Sequence, residues 1–281
     1  MRFGVHVSIG NGFTKAVAEA EKLGCDTFQI FAGNPRGWAR KPLPDRETAG
    51  FRKALAASGL GPAVVHLSYL PNPASPNDEI YEKSIAAVCE DFDRANRLGA
   101  GFFVMHPGSC PRERREEGLR RVVVGLNTVL AEVEGPTVLL LENQGGLKSD
   151  MAADLNEMAE LLAALDRNRC GICLDTCHAF VAGYDLRTKD GWDAMLALVS
   201  GKIGLDRLGA IHANDAKAGL GSGLDRHEHI GEGQLGEGAF TALGQLPELA
   251  NRPVILETPR NGPADDRRNL ARIRSLAGQG S

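Results

Sequence analysis

The chain has 281 residues, of which 43% are hydrophobic and 24% charged, with a formal net charge of −4. This composition suits a single α/β domain with ample apolar content for a core, and it excludes a small disulfide-stapled module. No run reaches the roughly 18 apolar residues that cross a membrane, and the opening MRFGVHVSIG reads as a strand rather than a secretory leader, so a cytoplasmic protein is expected.

In chain order, strands are predicted over residues 2–7, 27–31, 62–66, 101–106, 137–142, 171–175, 207–212 and 253–257. Amphipathic helical stretches fill the intervals, among them FTKAVAEAEKLG (13–24), EIYEKSIAAVCEDFDRANRLG (79–99) and GLRRVVVGLNTVLAEV (118–133). Each places apolar residues at i, i+3, i+4 and i+7, and the first two close on a glycine suited to a C-terminal cap. Eight strand and helix units predict one (β/α)8 TIM barrel over residues 1–281, a fold whose usual length is about 250 residues. The longest irregular stretch, 215–238, is rich in glycine and charge, and a loop of that length inside a compact domain is expected to be functional. Cys25, Cys89, Cys110, Cys170, Cys173 and Cys177 form no disulfide-scaffold pattern. Cys170 and Cys173 have zinc-ribbon spacing, but residues three apart on a strand face opposite sides, so all six read as packing residues.

Six apolar runs stop at a side chain of metal-ligand type: AVV at His66, FFVM at His106, VLLL at Glu142, GICL at Asp175, LGAI at His212 and VIL at Glu257. His178 follows Asp175 closely, and Asp225 and His227 lie in the loop after His212. Buried strands that end on polar groups are what a parallel barrel produces at the C-terminal rim of its sheet, where catalytic groups gather. A lone histidine at a strand end is more often a hydrogen-bonded rim residue than a ligand. The correlated set changes that reading, because four carboxylates buried together without cations would be very costly. Imidazoles suit transition metals and carboxylates tolerate several ions, so this set points to Zn²⁺, Mn²⁺ or Fe²⁺ rather than Mg²⁺. With one bridging carboxylate these side chains suffice for two or three ions, an arrangement that can clamp the attacking and leaving oxygens of a phosphoryl transfer. His6 and His229 are left outside the set.

The segments HVSIGNG (6–12), FAGNPRGW (31–38), HLSYLPN (66–72), HPGS (106–109), LENQGG (141–146), CLDTCHAFVAGYDLRT (173–188), HANDAK (212–217), GSGLDRHEHIGEG (221–233) and ILET (255–258) resemble the motifs of endonuclease IV. That is the zinc-dependent apurinic/apyrimidinic endonuclease family. The resemblance runs from the first predicted strand to the last. It implies a (β/α)8 barrel holding three Zn²⁺ ions, a hydrolase that cuts double-stranded DNA 5′ to an abasic site to leave a 3′-hydroxyl and a 5′-deoxyribose phosphate, with 3′-end trimming as a side activity. By the same resemblance His66, His106 and Glu142 would hold one zinc. Glu142 would bridge to a second held by Asp175, His212 and Glu257, and His178, Asp225 and His227 would hold the third. Glu142 and Glu257 would orient the nucleophile. Arg36, Tyr69 and Leu70 would enter the duplex and fill the gap left by the extruded sugar. A monomer is expected, and Trp38 is expected to be structural.

A net charge of −4 is unusual for a DNA-binding domain, but three Zn²⁺ would more than offset it and would concentrate positive charge where a phosphate must sit. Rim cations such as Arg36, Arg187, Lys217 and Arg226 would supply further affinity. The chain departs from the family pattern at Leu67, in the proline-rich stretch Pro71 to Asn77 and in NQGGLKSD after Glu142. Two other readings remain: a metal-dependent sugar isomerase or epimerase, which needs one or two ions and not the third group, and a non-catalytic binder of damaged DNA.

Overall fold

A computed structural model describes residues 1–279 of the chain. The strands are β1 (Arg2–Val5), β2 (Phe28–Phe31), β3 (Ala63–His66), β4 (Phe102–Met105), β5 (Val138–Glu142), β6 (Cys170–Asp175), β7 (Leu208–His212), the short β8 (Asp215–Ala216) and β9 (His227–Glu228), and β10 (Pro253–Leu256). The helices are α1 (Phe13–Leu23), α2 (Asp45–Ser58), α3 (Asp78–Leu98), α4 (Arg115–Glu132), α5 (Leu155–Ala163), α6 (Thr176–Ala182), α7 (Lys189–Lys202), α8 (Gly236–Gly244) and α9 (Pro263–Leu276). All strands except β8 and β9 form one parallel sheet in the order β1-β10-β7-β6-β5-β4-β3-β2. The ring closes where His6 bridges in parallel to Gln29 and the Val7 N–H donates to the Gln29 carbonyl at 2.8 Å. The predicted barrel is therefore present. Several of its strands end a residue or two earlier than the apolar runs, because the rim residues leave the ladder to enter the loops.

The strands alternate between two apolar layers, as a period of two requires. Val64, Val104, Leu140, Cys173, Ala210 and Ile255 meet inside the barrel. Their neighbours Val65, Phe103, Met105, Leu139, Leu141, Ile172, Leu174, Ile211 and Val254 face the helices. Cys170 and Cys173 divide between the outer and inner layers, as expected. The interior is narrow: a Cβ at Gly4 would lie 1.9 Å from the Thr27 carbonyl oxygen, so β1 approaches β2 this closely only without a side chain.

The helices stop where their signals predicted. Gly24 and Gly99 adopt the left-handed conformation after α1 and α3, and Asn77 caps α3 by accepting the Ile80 N–H at 3.0 Å. Among the described residues no helix is long and apolar enough to cross a membrane. The loop from 215 to 238 is more ordered than its composition suggested. Its start is paired to its middle by the antiparallel β8 and β9, and the buried Asp215 carboxylate accepts N–H donors from Gly231 at 2.9 Å, Gly233 at 3.0 Å and Leu235 at 3.0 Å.

Candidate metal centre

Each ligand-type residue at a strand end stands two positions beyond an inward-facing residue: Val64 and His66, Val104 and His106, Leu140 and Glu142, Cys173 and Asp175, Ala210 and His212, Ile255 and Glu257. The pleat that turns the first member inward turns the second inward too, one layer higher, at the mouth of the barrel. Periodicity alone thus brings six side chains from six strands to one place. His178 joins them because the Asp175 carboxylate caps α6 by accepting the His178 N–H at 2.8 Å, which sets that imidazole over the same mouth. Asp225 and His227 arrive on the excursion anchored by Asp215.

Three convergent groups whose ligand atoms lie within 4.8 Å of one another take in all nine residues: His66, His106 and Glu142; Glu142, Asp175, His212 and Glu257; and His178, Asp225 and His227; a further group, His66, His212 and Glu257, crosses between the first two. Glu142 belongs to two of them. Its Oε2 lies 3.0 Å from His66 Nε2 and 3.1 Å from His106 Nε2, and its Oε1 lies 2.8 Å from His212 Nδ1. His212 Nδ1 is also 3.4 Å from Glu257 Oε2 and 4.0 Å from Asp175 Oδ2. In the third group Asp225 sits between two imidazoles, 3.2 Å from His178 Nε2 and 3.3 Å from His227 Nε2.

The imidazoles are aimed by hydrogen bonds on their far sides. Nδ1 of His66, His178 and His227 donates to the carbonyls of Leu67 (2.7 Å), Asn143 (2.9 Å) and Glu257 (2.9 Å). A carbonyl accepts only, so the other nitrogen, Nε2, is the one offered to the cluster. His227 Nε2 is buried without a well-formed hydrogen bond, with carboxylate oxygens of Asp225 and Asp175 at 3.3 and 3.9 Å, an arrangement that suits a metal ligand. The donor set is five imidazoles and four carboxylates, and it fits transition-metal ions with open positions.

The charges agree. Burial opposes ionisation of Glu142, but the imidazoles of His212 and His106 outweigh it and hold the carboxyl well below its usual range. Burial works equally against a charged His227, yet the Asp225 carboxylate and the charge of Asp175 push that imidazole up to about 9. His178 and His212 are likewise raised well above the ordinary value against their burial, His178 by Asp175 first, and His212 first by Cys173 and then by Glu142. The cluster of carboxylates calls for positive charge, and without a metal the histidines supply it. Cys177 also lies within reach of Asp175 and His227. Burial pushes its thiol up and its Sγ turns to the Arg226 carbonyl at 3.9 Å, in keeping with a packing role.

Several residues that support the site were not singled out from the sequence. Gln29 links His212, Glu257 and His6. Asn143 and Asn214 hold Asp175: the Asp175 N–H donates to Asn143 Oδ1 at 2.7 Å, and Asn214 Nδ2 donates to Asp175 Oδ2 at 2.7 Å. His6 lies at the edge of the cluster, 3.4 Å from Glu257 Oε1, while His229 turns away to Asn269; neither belongs to a ligand group.

A cavity of about 360 Å³ opens from His66 and His106 toward Tyr69 and Leu70, with Asn72, Ser109 and Asp150 on its walls. The unusual segments 71–77 and 144–150 thus border the entrance to the centre. Tyr69 is 70% exposed and Leu70 37%, and the Tyr69 N–H donates to the Pro35 carbonyl at 3.2 Å, tying this loop to the one that carries Arg36. Trp38, expected to be structural, is 39% exposed on the same rim. Of the proposed rim cations, Arg187 is forked on Asp185 at 2.9 and 2.7 Å and Lys217 faces Glu228 at 3.8 Å, whereas Arg36 has no acidic partner among the described residues.

Comparison with known proteins agrees with this architecture. Residues 17–276 match the family described as xylose isomerase-like TIM barrel. A protein of Methanoculleus marisnigri named "Probable endonuclease 4" is 46% identical over 98% of both chains. One of the same name from Halothermothrix orenii is 43% identical over 92% of this chain and 94% of its own. The crystal structure of endonuclease IV from Thermus thermophilus superposes with a TM-score of 0.88 at 39% identity, covering 100% of both chains. A D-tagatose 3-epimerase-like protein shares the fold, with a TM-score of 0.74 at 17% identity over 99% of both chains. This chain belongs to the endonuclease IV family.

Proposed function

We propose that the protein is a DNA-repair endonuclease that hydrolyses the phosphodiester 5′ to abasic sites in duplex DNA through a centre of three Zn²⁺ ions, leaving a 3′-hydroxyl and a 5′-deoxyribose phosphate, with 3′-end trimming as a side activity. The observation that carries this reading is the set of two ligand groups sharing Glu142, with His178, Asp225 and His227 as a third group beside them. Bound zinc lowers the pKa of coordinated water by many units and draws charge from a phosphate, so it would supply both nucleophile and electrophile near neutral pH.

The remaining roles belong to the chain. His66 and His106 hold Oε2 of the Glu142 carboxylate and His212 holds Oε1, while Asp175 and Glu257 face His212 from the same group. The surrounding imidazoles keep Glu142 ionised, so its carboxylate would be available to metal in both of the groups it belongs to. Glu257 receives the Gln29 N–H on Oε1 at 2.6 Å, which turns Oε2 toward the cluster, where it and Glu142 orient the attacking water. His178, Asp225 and His227 would hold the ion that stabilises the leaving 3′-oxygen. Arg36, Tyr69 and Leu70 stand on the rim where a duplex would be opened, and no separate general base is required. A sugar isomerase would leave the third group and the exposed Tyr69 without a task.

The deciding experiment is incubation with a labelled duplex containing one tetrahydrofuran abasic analogue, without added Mg²⁺. A single nick 5′ to the analogue, lost on chelation and restored by Zn²⁺, supports the reading. An intact duplex in the presence of fully loaded protein refutes it.

A further inference from the structure

We propose that Gln29 is a positioning residue that fixes which nitrogen of His212 is offered to the metal centre, and that it thereby governs the ion held by Asp175, His212 and Glu257. The inference rests on the zinc-centre reading above and adds a residue on a different strand, 183 positions from His212, with no ligand role of its own.

The argument is one of donors and acceptors. Gln29 is fully buried on β2, and its side-chain amide touches three polar groups. Nε2 lies 2.6 Å from Glu257 Oε1 and 3.0 Å from His6 Nδ1, and Oε1 lies 2.9 Å from His212 Nε2. An ionised carboxylate can only accept, so Glu257 forces the NH₂ end of the amide to face it. The amide oxygen must then face His212, and since that oxygen can only accept, His212 Nε2 carries the proton. Nδ1, 2.8 Å from the accepting Glu142 Oε1, is protonated as well while no ion is held, and it is the nitrogen that a metal in the group formed with Asp175 and Glu257 would take, with the Nε2 proton kept by Gln29. One carboxylate orients one amide, and the amide selects the tautomer of a histidine.

His212 is alone in being held this way. His66, His178 and His227 lean on backbone carbonyls, and they offer Nε2 where His212 offers Nδ1. A backbone carbonyl cannot be removed by substitution, so those tautomers are set by the fold itself. For His212 the setting resides in a side chain and can be undone. Groups that orient a ligating histidine typically change metal affinity about ten- to a hundredfold when removed.

The test uses full-length protein stripped of metal and reloaded with Zn²⁺, comparing wild type, Gln29→Met and Gln29→Glu. Zinc release is titrated with a chromophoric chelator, and histidine side-chain ¹H–¹⁵N correlations are recorded on the loaded proteins. Wild type is expected to show His212 protonated on Nε2. Gln29→Met keeps the shape and loses all three hydrogen bonds, so it should release one zinc class about ten- to a hundredfold more readily while the other two match wild type and report an intact fold. Gln29→Glu can accept but not donate, so it should keep the proton on His212 Nε2. Identical release from wild type and Gln29→Met, with the Nε2 proton in place, overturns the inference. If Gln29→Met does not fold, Gln29→Glu decides, since loss of the Nε2 proton in that variant overturns it equally. Wild-type protein that takes up no zinc refutes the metal-centre reading instead.

Discussion

Tyr69→Ala separates damage recognition from metal chemistry. The ring is 70% exposed, and its aromatic neighbour is Phe31, met edge-on at 5.2 Å between centroids. Truncation therefore opens no cavity in the core. The cost to stability should stay within about 1 kcal/mol, which in a chain of this size shifts Tm by no more than about 4 °C. Catalysis should suffer more. If the ring fills the gap left by an extruded sugar, its loss removes one aromatic stack, about 1–3 kcal/mol, equivalent to about fivefold to 150-fold in kcat/KM. Tyr69→Phe should cut at close to the wild-type rate, because the stack needs the ring and the hydroxyl has no hydrogen bond among the described residues. The assay is kcat/KM on the tetrahydrofuran duplex across a salt series, with zinc content and Tm measured on the same samples. Arg36→Ala, run alongside, should shallow the salt dependence by about one unit of slope if Arg36 meets a phosphate. A wild-type rate for Tyr69→Ala would refute the reasoning and leave this loop without a part in recognition.

Purified protein should carry about three Zn²⁺ per chain by elemental analysis, and Glu142→Gln should lose metal and abolish cleavage while His229→Ala, whose imidazole faces Asn269 at 3.0 Å, keeps both; equal losses would break the ligand assignment. Asp215→Ala removes the acceptor for the N–H groups of Gly231, Gly233 and Leu235, so it should loosen the excursion carrying Asp225 and His227, lower zinc content by about one ion and leave the strand-end groups loaded, as zinc titration would reveal. The metal-free protein should be pH-sensitive in a defined direction. The His227 imidazole is held up to about 9 against an ordinary 6.5, so its contribution to stability is fully present below about 6.5 and is lost as pH rises through 9. Glu142 is depressed below its ordinary 4.5, so its contribution is present above that value and is lost as pH falls. Chelated protein should therefore lose Tm between pH 6.5 and 9, whereas zinc-loaded protein, whose imidazoles coordinate in the neutral form, should not; parallel curves would contradict the charge pattern of the site.

The strand-end ligands were legible in the sequence because their placement is local. A run such as VLLL ending at Glu142, with Leu140 facing inward, needs only the period-two pleat to aim the carboxylate into the barrel mouth, and five other strands repeat the pattern. Gly24 and Gly99 marked the ends of α1 and α3 for the same reason, since a left-handed cap is a property of one residue. Asp225 and His227 were legible as ligand-type residues of a loop but not in their placement, because the hairpin and the Asp215 carboxylate that hold them are contacts across the loop. What the tertiary structure alone decided is the network behind the ligands. No pattern in TFQIF distinguishes Gln29 from a packing residue on a buried strand. Its meaning appears when ring closure brings β2 to β1, and β10 places Glu257 and β7 places His212 against the same amide. Which nitrogen each imidazole offers was likewise undecided in the sequence, because a tautomer is set by the acceptor on the far side of the ring, and that acceptor is chosen by packing between strands distant in the chain.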